Sequence, residues 1–414
     1  MTSNNEKLPL PLEGLRVLDA THIVAGPFCA MILGDMGAEV IKVERTRVGE
    51  RARSNAPFIE NPEAPAPGKI SARYLGINRN KKSITLDLRD PRCKEVFENL
   101  VRQSDVLLDN WGPGALNRLG FGYPRLRELN PGLVYASITG FGDSDGLRGP
   151  YSDWPANNLA IQGMAGWMEL TGDPDGPPQA VGDNIGDSIP GLWTALGIVL
   201  ALETRRQTGQ GQHVDMAMYE CMVAHIVSNI NVYQATGRFI GRDRERMVTA
   251  GLTFRAQDGY VVLAGVRNPE RWRALWQLLG RADLAEDPRY LGEGADGDFC
   301  FNQVIPAIEE WSTQRPKWEV AGRLTELGFS MGTAQTISDL AQCPHLAARD
   351  MFVDTGDTLG GQFRSLRTPV RLTGCVESRR DAPPQLGEHN REVLCTLGGL
   401  TPEQLAQLEG EGAV

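Results

Sequence analysis

The sequence lacks the short motifs of several common enzyme classes. No GxGxxG follows the first predicted strand and no GxxxxGK[ST] occurs anywhere, which argues against a dinucleotide site and a P-loop. The GxSxG of serine hydrolases and the HExxH of zinc proteases are also missing. The five histidines also lack the spacing of metal ligands, so we expect no metal site. They are His22, His213, His225, His345 and His389.

Positive charge is in the minority, and long apolar runs are absent. Lys and Arg number 42 against 52 Asp and Glu, a net charge of −10 without a long basic run, which argues against nucleic acid as the main partner. Local basic patches can still bind an anionic molecule. No run reaches the ~18 apolar residues of a membrane span, and the first fifteen residues contain no signal-peptide core. The longest apolar stretch, Leu192–Leu202, is expected to be an ordinary buried helix.

The sequence has few cysteines, and their spacing shows no paired motif. The seven cysteines are scattered, form no CxxC and are odd in number, so we expect reduced thiols and a cytoplasmic location. Apolar residues make up 41% and charged residues 23%, the usual mixture of globular proteins. A chain of 414 residues can bury a sizeable core, and more than one domain is expected.

Strand and helix patterns alternate over the first 140 residues. Apolar strands that alternate with helices predict an α/β fold with a doubly wound parallel sheet. Ligands of such sheets bind at the carboxyl ends of the strands. The predicted strands are residues 15–20, 39–44, 83–88, 105–109 and 133–139, with helices from 26 to about 37 and from 91 to about 103. Residues 22–27, Arg45 and residues 110–114 follow strands and are candidates for ligand contact.

The pattern changes in the second half of the chain. A strand at 213–217 and a helix at 219–235 precede a smaller α/β module with a strand at 259–264 and helices at 269–279, 301–313 and 317–327. Residues 360–374 look strand-like, and a last helix covers 402–408. We predict a large domain that begins with residues 1–215, a linker helix at 216–248, a small α/β domain at 249–330, and a return to the large domain at 331–414.

A Gly-rich turn from Gly182 to Gly191 places Asp187 just before an apolar helix pattern. A carboxylate at a helix start is held by backbone N–H groups and favoured by the helix dipole, so Asp187 is expected to stay ionised. An ionised carboxylate suits a nucleophile that attacks an acyl carbon. The structural alternative is that Asp187 or Ser188 only caps the helix, with Pro190 in its first turn.

Eight separate segments resemble the class III CoA-transferases, the family of formyl-CoA:oxalate and carnitine CoA-transferases. The resemblance covers nearly the whole chain in order, and it implies CoA transfer by a cytoplasmic enzyme. It also implies a large Rossmann-like domain built from both chain ends, a small inserted α/β domain and an interlocked homodimer. The matching segments are residues 12–44, 78–88, 109–123, 138–146, 171–178, 186–188, 208–220 and 384–398.

The resemblance also implies roles for individual residues. Asp187 falls at the position of the family's catalytic aspartate. In the implied reaction, this residue takes CoA from a donor acyl-CoA through mixed anhydrides and an aspartyl-CoA thioester. Succinyl-CoA is a candidate donor. CoA is then a substrate, and no tightly bound cofactor is expected. The oxyanions that form need N–H donors, which we expect from the turn around Asp187. The implied CoA contacts are His22, Val24, Ala25, Arg45, Leu86, Asn110 and Arg118.

Three arginines and one loop are candidates to contact the acyl group. Arg51, Arg53 and Arg73 lie in loops expected to approach it, and one that pointed inward would favour a dicarboxylate such as succinate, malate, mesaconate or glutarate. The alternative is that all three are exposed. Residues 247–253, including Gly251, fall near the family's glycine-run loop and are expected to shape the acyl pocket.

Departures from the family leave two alternatives open. Racemases of the family carry a proton-relay histidine about thirty residues before the aspartate, where this chain has Asn157, which cannot shuttle a proton. Asn157 is instead expected near the substrate. Oxalate enzymes carry Tyr at that position, Gln at Val24 and Trp at Asn55, so oxalate is a poor guess for the acceptor. A racemase or epimerase, or a partner subunit of a hetero-oligomeric transferase, are the alternatives to a CoA-transferase that acts without a different subunit.

Overall fold

The computed structural model describes residues 8–60, 69–144, 146–239, 241–244, 251–264, 268–290, 296–358 and 361–414. In chain order, the strands are β1 (Arg16–Ala20), β2 (Glu39–Glu44), β3 (Phe58–Glu60), β4 (Lys69–Ser71), β5 (Lys81–Thr85), β6 (Val106–Asp109), β7 (Val134–Thr139), β8 (His213–Ala217), β9 (Leu252–Ala256), β10 (Gly259–Ala264), β11 (Ser330–Thr333), β12 (Phe352–Thr358) and β13 (Gly361–Leu366). The helices up to the middle of the chain are α1 (Ala25–Asp35), α2 (Ala72–Ile77), α3 (Pro91–Arg102), α4 (Ala115–Arg118), α5 (Tyr123–Leu129), α6 (Asn158–Met164), α7 (Ile185–Thr208), α8 (Met218–Ala224) and α9 (Val227–Thr236). Those that follow are α10 (Pro269–Leu279), α11 (Gly297–Phe299), α12 (Ile305–Ser312), α13 (Lys317–Glu326), α14 (Ile337–Ala341), α15 (Pro344–Ala348), α16 (Asn390–Thr396) and α17 (Pro402–Glu411).

A six-stranded parallel sheet in the order β5-β2-β1-β6-β7-β8 forms the centre of the larger unit. This confirms the predicted α/β fold. The chain runs outward from β1 to β2 and β5, then returns to β6, β7 and β8 on the other side. The connections that follow β1 and β6 therefore diverge, which opens a crevice at the carboxyl ends of these strands.

Helices cover both faces of this sheet because its strands are buried on both sides. On one face, α3, α16 and α17 pack with the strands into a core that includes Leu18, Ile41, Phe97 and Leu394. On the other face, α1 and α7 pack against each other, with α1 on β1 and β2 and α7 on β7 and β8. The start of α1 thus lies where the crevice meets α7.

The last residues of the chain cover the edge strand β5. The Thr85 N–H donates to Asn390 Oδ1 at 2.8 Å, and the Ser83 N–H donates to His389 Nδ1 at 3.2 Å. Beyond the strand, the Asp87 N–H donates to the Ala413 carbonyl at 2.9 Å. The C-terminal segment therefore fixes both β5 and the loop that leaves it.

The chain forms two compact units. The first comprises residues Met1–Ala165, Val181–His225 and His345–Val414, and the second comprises Gly166–Ala180 and Ile226–Pro344. The second unit has a three-stranded antiparallel sheet in the order β11-β10-β9, with Phe254, Trp272 and Trp276 in its core. These divisions fall at other residues than the domain boundaries predicted from the sequence, which stay predictions.

Helix α7 differs from its prediction in two ways. It begins at Ile185 with Asn184 at the N-cap, so Asp187 is the third helical residue and Pro190 lies in the second turn, not the first. The expectation of an ordinary buried helix is wrong, because only one side is covered. The other side is the apolar strip of α7, whose exposed residues are Leu192, Trp193, Leu196, Val199 and Leu200.

Among the described residues, α7 is the one helix long and apolar enough to cross a membrane by length and composition. Core helices pass the same test, and Thr194, Ala195 and Ile198 of α7 are buried in the larger unit. All seven cysteines are free thiols, as their spacing predicts.

Candidate active site

A cavity of about 750 Å³ lies in the larger unit at the carboxyl ends of β1, β2 and β5. This is where ligands of parallel sheets are expected to bind, because the loops that leave these parallel strands meet at one edge of the sheet. Four of the residues predicted to bind CoA or substrate line it: His22, Arg45, Arg51 and Leu86. The other lining residues include Glu50, Asp87, Arg89, Trp111 and Leu119.

The backbone of His22 is held at the cavity by hydrogen bonds to the Asn110 side chain. The His22 N–H donates to Asn110 Oδ1 at 2.9 Å, and Asn110 Nδ2 donates to the His22 carbonyl at 2.9 Å. Both bonds use the Asn110 side chain, so it ties the loop after β6 to the loop after β1. Burial and nearby cations outweigh Glu50 and lower the pKa of His22, so its ring is neutral at physiological pH.

Ile23 carries backbone strain beside His22. Its φ is +69°, a conformation that a β-branched residue rarely adopts. The Ile23 N–H donates to Glu50 Oε2 at 3.1 Å, and the same oxygen accepts from the Ala52 N–H at 2.8 Å. Glu50 is buried, with the Lys42 ammonium 4.0 Å from its other oxygen. A buried carboxylate therefore holds the strained turn that leads into Val24 and Ala25.

The predicted phosphate-binding arginines differ in placement. Arg45 is an exposed side chain that lines the cavity, as expected for a group that would bind an anion from solvent, and so is Arg51, which was predicted to lie near the acyl group. Arg118 is exposed on α4, does not line the cavity, and donates from Nη1 to the Pro113 carbonyl at 3.0 Å. Arg89, which the sequence reasoning passed over, lines the cavity and forms an ion pair with Asp87 at 2.8 Å.

Three of the residues expected near the substrate have contacts of their own. Arg53 makes two bonds of 2.7 Å to Glu44, and its guanidinium lies 3.9 Å from the Tyr74 ring centroid, so it is built into the fold. Arg73 is exposed and donates to the Ala56 carbonyl. The exposed Asn157 side chain accepts from the Ala160 N–H at 3.0 Å and caps α6. These contacts weigh against Arg53 as an acyl-group ligand.

The predicted acyl-pocket loop is described only in part. Residues 247–250 lie outside the described residues. Gly251 begins the next described segment, in the smaller unit, with a φ of +153°. A Cβ there would lie 2.5 Å from the Leu263 carbonyl oxygen, so this glycine is needed for the backbone to pass close to β10.

Asp187 lies in the first turn of α7, half-buried and without a partner. Among the described residues, no hydrogen bond or ion pair reaches its carboxylate, and burial raises its pKa to about 6. The expectation that N–H groups hold this carboxylate is therefore wrong. The group is still mostly ionised at neutral pH, and it is more basic than an ordinary aspartate, as a nucleophile should be.

The N–H groups of the turn are already used within the fold. The Gly186 N–H donates to Asn158 Oδ1 at 2.9 Å, and the N–H groups of Asp187 and Ser188 donate to the Asn184 carbonyl at 3.0 and 2.8 Å. These three groups are not free to stabilise an oxyanion, contrary to the sequence-based expectation.

Two glycines bring the start of α7 close to its neighbours. A Cβ on Gly186 would lie 2.7 Å from the Asn158 carbonyl oxygen, and one on Gly191 would lie 2.6 Å from the Ala25 carbonyl oxygen. Asp187 lies between these glycines, so its helical turn is pressed against α6 on one side and the start of α1 on the other. The short segment from His22 to Ala25 thus connects the cavity to the helix that carries Asp187.

Sequence reasoning missed Arg89 and Glu50 as cavity residues, whereas Trp111 lies in the segment 110–114 that it named as a candidate for ligand contact. Arg89 follows β5 closely, so the position after a strand that identified Arg45 could also have identified Arg89. Glu50 had no such signal, because its role depends on a turn 27 residues earlier in the chain. The described part of the chain contains no group of three or more His, Cys, Asp or Glu side chains that could hold a metal ion.

Comparisons with known proteins identify the family of this chain. The family model for "CoA-transferase family III" matches residues 12–390. The formyl-CoA:oxalate CoA-transferase of Streptomyces avermitilis is 34% identical over 97% of this chain and 99% of its own, and the succinyl-CoA:mesaconate CoA-transferase of Haloarcula hispanica is 35% identical over 94% and 96%. The solved structure of a CAIB/BAIF family protein from Brucella suis is 33% identical with a TM-score of 0.84, covering 95% of this chain and 100% of that one. The chain therefore belongs to CoA-transferase family III, as its sequence segments predicted.

Proposed function

We propose that this CoA-transferase moves CoA from a donor acyl-CoA to a carboxylic acid through covalent intermediates on Asp187. Membership of the family supports CoA transfer, and the position of Asp187 supports the covalent route. Its carboxylate has no partner among the described residues, and it lies on a helix pressed against the segment that leads out of the cavity. That placement is the observation on which the proposal rests.

The proposed chemistry has four balanced steps. The Asp187 carboxylate attacks the donor thioester carbonyl, which forms a mixed anhydride and releases CoA thiolate. The thiolate attacks the aspartyl carbonyl, which forms an aspartyl-CoA thioester and releases the donor acid. The acceptor carboxylate attacks that thioester, forming a second anhydride and releasing the thiolate again. The thiolate then attacks the acceptor carbonyl, which yields the new acyl-CoA and restores the Asp187 carboxylate.

CoA is proposed to occupy the cavity in the larger unit. Arg45 and Arg89 line it and can pair with the phosphate groups, while Leu86 and Trp111 offer an apolar wall for the adenine ring. The pantetheine arm would then follow His22–Ala25 toward Asp187. We propose no tightly bound cofactor, since CoA enters and leaves as a substrate.

The acceptor is proposed to be a dicarboxylate, with succinyl-CoA as a candidate donor. The relatives named above act on oxalate and mesaconate, which each carry two carboxylates. Arg51 is the exposed cavity residue among the three arginines proposed for the second carboxylate. Arg51→Ala should impair transfer to succinate, mesaconate or glutarate more than transfer to a monocarboxylate, and Arg73→Ala should not. Equal losses for both acceptor classes would contradict this assignment.

We also propose a cytoplasmic homodimer in which two chains interlock. The apolar strip of α7 leaves five large hydrophobic residues exposed in the single chain. A strip of this kind is unfavourable in water and indicates a partner surface.

Covalent labelling of Asp187 tests the mechanism. The purified chain is incubated with succinyl-CoA and then with hydroxylamine, and the modified residue is located by mass spectrometry. We expect a hydroxamate at Asp187, none in Asp187→Asn, and normal labelling in Asp183→Asn, the exposed neighbour. An active but unlabelled enzyme would refute the covalent route. Exchange of the α-hydrogen of a branched acyl-CoA without transfer would indicate a racemase, and activity only after a different subunit is added would indicate a hetero-oligomer.

A further inference from the structure

Two amide side chains on α6 hold the segment that leads into Asp187. Gln162 is fully buried, with 0% of its surface exposed, and its Oε1 accepts from the Val181 N–H at 2.9 Å. Its Nε2 donates to Asn158 Oδ1 at 2.9 Å. The same Asn158 oxygen accepts from the Gly186 N–H at 2.9 Å. Asn158 and Gln162 are one helical turn apart, so the two side chains meet on one face of α6.

These contacts fix both ends of the segment from Val181 to Gly186. Gln162 anchors its first residue, and Asn158 anchors the residue directly before Asp187. The glycine at 186 allows this approach, because a Cβ there would lie 2.9 Å from Asn158 Oδ1 and 2.7 Å from its carbonyl oxygen. The segment cannot shift along α6 without breaking a hydrogen bond at one end or the other.

We propose that Gln162 and Asn158 are positioning residues that set the direction of the Asp187 nucleophile. The inference rests on the proposed function of Asp187. Among the described residues no hydrogen bond or ion pair holds the Asp187 carboxylate, so its placement depends on the backbone that carries it. Nucleophilic attack is sensitive to placement, and an error of about 1 Å can cost about 100-fold in rate.

The test compares variants that break the amide pair with one that keeps its acceptor. Gln162→Met preserves the shape but removes every hydrogen bond of this side chain, which bonds to Asn158, Val181 and Asp183, and Asn158→Ala removes the acceptor for the Gly186 N–H. We expect kcat and the rate of hydroxamate formation at Asp187 to fall about 10- to 100-fold, with little change in KM for succinyl-CoA. Asn158→Asp keeps the oxygen that accepts from Gly186 and should restore most of the rate at pH 8.5, where Asp187 is ionised.

Asn130→Ala is the matched control. Asn130 clamps another loop of the larger unit with bonds to the Val101 carbonyl at 3.1 Å, the Ser104 carbonyl at 2.8 Å and the Gly132 N–H at 3.0 Å. Its loss should lower the melting temperature but leave kcat and labelling unchanged. If Gln162→Met does not fold, Gln162→Glu, which keeps the acceptor for Val181, takes its place.

The outcomes separate this inference from the proposed function. A wild-type enzyme that transfers CoA without labelling at Asp187 overturns the proposed function. A wild-type enzyme that is labelled, with Gln162 and Asn158 variants labelled at the same rate, overturns the positioning role alone. Loss of rate in Asn158→Ala that Asn158→Asp does not restore also overturns it, since the acceptor oxygen would then be irrelevant.

Discussion

At the scale of single residues, burial without a partner sets the chemistry of Asp187. Burial raises the pKa of this carboxyl from 3.8 to about 6. Such a group resists ionisation in acid but gives a more basic nucleophile at neutral pH. The absence of any described partner leaves the carboxylate free to form a bond with an acyl group.

Activity should therefore fall in mild acid. In the proposed mechanism only ionised Asp187 attacks, so kcat/KM for the acyl-CoA should be level above pH 7 and fall about tenfold per pH unit well below 6. Burial also raises the pKa of Asp109 to about 6, so the pH profile is measured in Asp109→Asn as well. The same midpoint in both proteins assigns the transition to Asp187, and its disappearance in Asp109→Asn would assign it to Asp109, the last residue of β6, instead.

The same carboxylate should lower stability at neutral pH. Since its pKa is raised on folding, the folded state binds the proton more tightly, and stability decreases as pH rises from about 4 to 6. Asp187→Asn removes this penalty and should raise the melting temperature at pH 8 by on the order of 2 °C. The gain should shrink toward pH 4. A variant less stable than the wild type at pH 8 would contradict the assigned cause of the pKa shift.

Residue types were easier to predict than side-chain directions. Strand ends and the family resemblance identified His22, Arg45 and Leu86, which the structure places in one cavity. Asn110 and Arg53 were identified in the same way, yet their side chains bind the His22 backbone and Glu44. A sequence shows which polar group is available, but not whether another part of the fold has already used it.

At the scale of elements, the contact between α1 and α7 depends on a missing side chain. In Gly191→Ala the new Cβ would lie 2.6 Å from the Ala25 backbone oxygen, so the two helices must separate. We expect a loss of about 1–3 kcal/mol in the free energy of unfolding, as for other overpacked sites, and a loss of activity. Gly410→Ala on α17 is the control, because its Cβ would meet nothing within 4 Å. Equal effects of the two changes on denaturant unfolding would show that the close approach is unimportant.

Elements were predictable where periodicity and turn residues agree. Strands β2, β8 and β10 and helix α10 have the bounds that the sequence predicts. The strand predicted at 83–88 lies at 81–85, because Leu86 and Leu88 are buried after the strand has ended. The helix predicted at 219–235 is divided into α8 and α9, and α6 was missed although it carries Asn158 and Gln162. A break of one or two residues and a helix of two turns leave little periodic signal.

At the scale of the whole molecule, the apolar strip of α7 should control assembly. Leu196→Glu places a charge in the middle of the strip, where it would be buried in the proposed dimer at high cost. We expect this variant to sediment as a monomer or a weak dimer and to lose stability as it is diluted. Leu278→Glu, at another exposed leucine, should leave the mass unchanged. A monomeric wild-type chain would refute the interlocked homodimer.

The C-terminal cover of β5 has a consequence for protein synthesis. The cavity is lined by residues between Thr21 and Leu119, all of which are synthesised long before Ala413. Asp87, in its wall, is nevertheless held by the carbonyl of Ala413. A ribosome-bound chain that already contains every lining residue still lacks the segment that fixes this wall. This wall of the cavity should therefore be completed only after Ala413 has been synthesised, long after the last of the lining residues.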